Sequence, residues 1–72
     1  MNDFTEKQLK DIAFFNKQLS VFLADELLKH KYVIIAYEKI QRYFDTIELA
    51  VDFAIENYPV GEYIIQQIIN EG

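Results

Sequence analysis

The nearest thing to a chemical constellation in this chain is a run of carboxylates. Asp45, Glu48, Asp52 and Glu56 follow one another at steps of three and four, so a helix places all four on one face. Like charges four apart cost about 0.2–0.5 kcal/mol per pair, and no lysine is spaced to relieve them. Such a strip serves either as a solvated face or as a docking strip for a basic surface, including one that ordinarily binds nucleic acid. A divalent cation fits less well, because no loop gathers the six or more oxygens that calcium takes.

The other reactive side chains are few. His30 is the one histidine, and at the end of a helix its imidazolium complements the dipole there. Ser20 is the one serine and falls inside a helical segment, with nothing to activate it. The chain has no cysteine, which removes thiol catalysis, disulfides and Cys-based zinc sites. Its two glycines, Gly61 and Gly72, make no phosphate-binding loop. The expectation is a protein that is not an enzyme, with no catalytic residue, no cofactor and no metal.

Composition bounds the remaining classes. Seventy-two residues make one domain, 1–72. With glycine added to the 51% apolar residues, the fraction reaches about 54%, above the roughly 45–50% of ordinary soluble domains. A chain this short buries only about 60% of the surface that it exposes when unfolded. Its ten isoleucines, six phenylalanines and five tyrosines are therefore more than such a core hides, so some of that surface faces either solvent or another chain, and the second is the expectation. Net charge is −5 and is unevenly spread: residues 45–72 hold six acids and no cation, whereas all seven cations lie in 1–44. That balance argues against direct binding to nucleic acid or to an anionic membrane. No apolar run approaches the roughly 18 residues of a membrane span, and the N-terminus lacks the pattern of a signal peptide. The absence of cysteine favours a reducing, cytoplasmic setting.

The elements follow from local signals. Thr5 with Gln8 three residues on is a capping box, and Phe4 with Leu9 has the spacing of a hydrophobic staple. Leu9, Ile12, Leu19, Leu23 and Leu27 recur at helical spacing, flanked by Phe15 and Phe22, which predicts a helix over 5–29. Phe14, Val21 and Leu28 lie seven apart on roughly the opposite side, and form either a second buried side of the helix within one small core or a candidate partner-binding seam. Residues 32–37 are β-branched and aromatic, a buried strand. Residues 40–44 read as a return strand after a turn near Glu38-Lys39, with a helix over 36–44 as the alternative. Asp45-Thr46 starts a second helix, with Glu48 placed to complete a box from Asp45. Ile47, Ala50, Val51, Ala54 and Tyr58 form its inner face. Pro59 stops it, and 62–69 is a last strand, apolar on both faces.

The segment 31–69 resembles a group of small uncharacterised bacterial domains. The likeness rests on Lys31-Tyr32-Val33-Ile34-Ile35, Phe44-Asp45-Thr46, Ala50 with Ala54, and Gly61-Glu62-Tyr63-Ile64-Ile65-Gln66. It implies a β-hairpin, a Phe-Asp-Thr helix cap, an Ala-spaced helix and a terminal strand, and it implies no activity. Such hairpins commonly carry a glycine just before the Phe, where this chain has Arg42-Tyr43.

Connection rules then give the topology: an α+β fold with a long N-terminal helix and a ββαβ unit whose strands take the order 2-1-3. Both helices are expected on one face of the sheet, leaving the other face uncovered. The function expected is a non-enzymatic protein-protein interaction module that binds itself as a homodimer or binds another protein, with Phe14, Val21 and Leu28 as the contact. The alternative is an acidic inhibitor or nucleic-acid mimic, a phage anti-defence protein or an antitoxin, that acts through Asp45, Glu48, Asp52 and Glu56.

Overall fold

The computed structural model describes residues 3–69; Glu71, one of the six C-terminal acids, lies outside them. The elements run α1 (Glu6–Ala24), β1 (Tyr32–Ala36), β2 (Lys39–Phe44), α2 (Ile47–Asn57) and β3 (Tyr63–Gln67). The class is α+β, and the sheet has the expected order β2-β1-β3, with the most apolar strand in the middle. β1 is antiparallel to both neighbours. Residues 39–44 are strand, not helix.

α1 begins as its sequence dictates. The Thr5 hydroxyl accepts the Gln8 N–H, and the Gln8 side chain accepts the Thr5 N–H, so two orphan donors are satisfied reciprocally. Its end corrects the expected boundary at residue 29. The helix stops at Ala24 because Asp25 turns to extended backbone and its carboxylate accepts the Leu27 N–H, the local bond by which aspartate competes with helix. The chain then turns, and His30 sits at φ 71 with its N–H donated to the Ile68 carbonyl. His30 is thus a turn residue that anchors the sheet, and it does not cap α1.

α2 also starts differently from expectation. Thr46, not Asp45, is the N-cap, its hydroxyl accepting the Leu49 N–H. Asp45 is paired instead with Lys31.

The helices lie on opposite faces of the sheet, which corrects their expected placement on one. Val33 and Ile35 of β1 are buried with Phe15 and Phe22 of α1 and with Ile64 and Ile68. Ile34, between them, is buried with Ala50 and Ala54 of α2. Successive strand side chains point to opposite faces, so the sheet is the middle layer. The cause is β1 itself: Val33, Ile34, Ile35 and Ala36 are all fully buried, and a strand apolar on both sides needs cover on both. Two alanines on α2 let that short helix approach closely.

The β1–β2 hairpin turns at Tyr37-Glu38, both with φ near 57°. A two-residue primed turn requires this conformation and usually recruits Asn-Gly for it. Past the turn the register slips between Ile34 and Ile35, whose partners are Arg42 and Ile40. Gln41 is therefore the extra residue of a β-bulge. Its side chain donates to the Ala36 carbonyl and accepts from the Tyr58 hydroxyl.

Candidate functional site

The acidic strip divides in two. Glu48, Asp52 and Glu56 are all exposed on α2, on the side away from buried Ala50 and Ala54. None forms an ion pair among the described residues, whose three salt bridges use Glu62, Glu26 and Asp45. Leu49 and Ile55, at 54% and 67% exposure, flank this ridge at the neighbouring helical angles. The outer face of α2 is therefore a carboxylate ridge with an aliphatic residue on each side. Asp45 lies before the helix and its charge is answered by Lys31.

The Phe14-Val21-Leu28 seam is not assembled. Phe14 is half-buried against the α1-side core, as is Leu28, which lies beyond the end of the helix. Val21 alone faces solvent, at 62% exposure. Spacing by sevens selected the seam, but the helix ends before its third member.

A different stripe of α1 stays half open. Asp11, Phe15 and Phe22 are its buried line. Beside them Leu9, Ile12, Asn16, Leu19 and Leu23 run along one flank: Ile12, Leu19 and Leu23 are partly buried, Asn16 is exposed, and Leu9 is 43% exposed. This flank borders the outer edge of β3. Two adjoining hollows lie there, of about 390 Å³ and 170 Å³; Phe4, Gln8, Val60 and Ile65 are among the residues lining the first, and Phe15, Asn16, Leu19, Gln67 and Ile69 line the second, with Gln66 shared. Gln8 crosses the edge at its start, donating through Nε2 to the Tyr63 carbonyl at 3.1 Å.

Sequence patterning missed two side chains. Asp11 is 1% exposed, and its Oδ1 accepts the Glu38 N–H at 2.8 Å. Burial pushes its carboxyl above the usual aspartate range, and that amide hydrogen bond pulls the other way. Its position on the buried line, four before Phe15, is the signal that could have found it. Arg42 lies over Phe44 and Phe53, 5.6 and 5.0 Å from the ring centroids, a cation held by aromatic faces. Among the described residues no cluster of three His, Cys, Asp or Glu side chains could hold a metal ion, and no helix is long and apolar enough to cross a membrane.

No family model, no curated protein and no solved structure matches the chain. The functional reading rests on these surfaces.

Proposed function

We propose that the protein is a non-enzymatic interaction module of the cytoplasm that works by binding protein, first of all a second copy of itself. One observation carries this: the flank of α1 from Leu9 to Leu23 is apolar at four of its five positions, half open, and set beside a strand edge without a charged side chain. A seam of that kind gains by covering itself, since each large apolar side chain taken from water contributes about 1.5–3 kcal/mol. The contact assigned to Phe14, Val21 and Leu28 moves with it to Leu9, Ile12, Leu19 and Leu23. Sedimentation at micromolar concentration tests the reading. A species of twice 8.5 kDa that persists in high salt is expected, because apolar association is not screened. A monomer under all conditions overturns it.

A second reading, the acidic inhibitor or mimic, is favoured by Glu48, Asp52 and Glu56, exposed and unanswered by any cation among the described residues. Its partner would be a basic protein surface with apolar contacts for Leu49 and Ile55. Binding of a polylysine peptide that weakens as salt rises, and that is lost in a Glu48→Lys, Asp52→Lys, Glu56→Lys variant, is its expected signature.

A further inference from the structure

We propose that two copies join edge to edge: β3 pairs antiparallel with β3 of the other copy, Ile65 opposite Gln67, and the Leu9–Leu23 flanks of the two α1 helices pack about the same two-fold axis. This deepens the homodimer reading and rests on it.

The strand half follows from which backbone groups face outward. The Ile68 N–H donates to the Lys31 carbonyl at 2.8 Å, so residue 68 faces the β1 side. The Tyr63 carbonyl accepts from Gln8 on the opposite side. Alternation along a strand then turns Ile64 and Gln66 inward and Tyr63, Ile65 and Gln67 outward. Gln8 already holds the Tyr63 carbonyl, which leaves the N–H and C=O of Ile65 and of Gln67 along the open edge. Of the antiparallel registers, one uses all four of these groups on both strands without calling on Tyr63. It sets Ile65 against Gln67 twice and puts the axis through Gln66.

The helix half points to the same axis independently. α1 runs alongside β3 in the same direction: Gln8 lies at Tyr63, Asn16 shares a hollow with Gln66 and Gln67, and Leu23 lies near Ile68. Leu9, Ile12, Asn16, Leu19 and Leu23 are spaced three, four, three and four, the seam of a coiled coil. That seam is centred on Asn16. An antiparallel copy brings Leu9 to Leu23, Ile12 to Leu19 and Asn16 to itself, where two carboxamides can bond to each other. A lone asparagine in such a seam fixes register, and here it stands level with Gln66.

Spacing and charge agree. Strands lie about 4.8 Å apart, and α1 packs over β3 and β1, so a helix above their midline lies about 10 Å from its two-fold mate, close to the 8–10 Å of packed helices. Neither the five seam residues nor residues 63–69 include a charge, so two chains of net charge −5 meet where repulsion is least. The β2 edge offers no such site, because it carries Lys39, Arg42 and the bulge at Gln41, the devices that block strand addition.

The test uses the full chain, which has no cysteine of its own. A non-hydrogen-bonded pair on the axis has Cα atoms about 4.5 Å apart, within disulfide range. Gln66→Cys is therefore expected to oxidise to a covalent dimer, and Val21→Cys, on the far flank, is not. Asn16→Lys puts like charges on the axis at a position exposed in the monomer. Ile65→Pro removes an outward N–H that β1 does not use. Both are expected to sediment as monomers of 8.5 kDa with unchanged circular dichroism, and should Ile65→Pro unfold, Asn16→Lys decides alone. A wild-type dimer that ignores Asn16→Lys and leaves Gln66→Cys uncrosslinked overturns the edge pairing while the homodimer reading stands. A wild-type monomer at every concentration overturns both, and leaves the edge to the strand of a different protein.

Discussion

Asp11 accepts the backbone N–H of Glu38 from 27 positions away, and it does so at a turn where two successive residues have positive φ. Tyr37 and Glu38 are both left-handed, a conformation that costs a side-chain-bearing residue roughly 1–2 kcal/mol. Glu38→Gly removes that cost at one position and leaves the N–H in place, so a stabilisation of about 1 kcal/mol is expected by urea denaturation. The carboxyl of Asp11 also has a sign in pH. Its pKa is raised by burial, so the folded chain holds the proton more tightly than the unfolded chain. Stability from this group is greatest below the ordinary aspartate range, and it declines as pH rises through the raised folded value. Asp11→Asn keeps a carbonyl acceptor for Glu38 and has no proton to lose. Urea midpoints measured from pH 4 to pH 7 should fall less with rising pH in that variant than in the wild type; equal slopes would show that Asp11 titrates as it does in the unfolded chain.

At the scale of the elements, the start of α1 and the stop of α2 before Pro59 were legible, and the stop of α1 was not. The Thr5–Gln8 box is spelled in residue types, and it forms as spelled. Thr5 also donates its hydroxyl proton to the Gly61 carbonyl, tying the start of α1 to the turn before β3. Gly61 has φ 85, and a Cβ there would lie 3.0 Å from Thr5 Cγ2. Thr5→Ala is expected to cost about 1–2 kcal/mol in thermal or chemical unfolding, the upper part of the range for a lost N-cap, because the second bond goes with it. No loss would mean that the first turn of α1 frays in solution. The helix end escaped the same reasoning because Leu27 and Leu28 continue the apolar period past Ala24, while the event that ends it is one carboxylate of Asp25 bonding two residues ahead. The hairpin turn, expected near Glu38-Lys39, falls one residue earlier at Tyr37-Glu38, because Tyr-Glu carries no signal for positive φ; its support comes from Asp11, on another element.

For the whole molecule, the order of strands could be reasoned out and the layering could have been. The fully apolar run from Val33 to Ala36 was recognised as buried, yet burial on both sides of a strand already requires two covering layers. The acidic half was equally plain in composition, but only the fold separates Asp45, answered by Lys31, from the open ridge of Glu48, Asp52 and Glu56. Since that ridge makes no ion pair among the described residues, it does not hold the fold together. Asp52→Lys with Glu56→Lys should leave the melting temperature unchanged or slightly raised, as Glu48 gains an opposite charge four residues on. A marked fall would show that these carboxylates have structural partners.

The bulge at Gln41 has a consequence for how far assembly can go. A sheet that adds strands at both edges grows without limit, and that is the route to fibrils. Here the β2 margin is sealed: the extra residue kinks the strand, Gln41 turns back onto Ala36, and Arg42 folds over the aromatic rings. In the β3-to-β3 pairing proposed above, both outer margins of the six-stranded sheet would be β2. On that proposal the chain carries its own terminator, and pairing through the uncharged edge at Tyr63–Gln67 would close at two copies in place of a polymer.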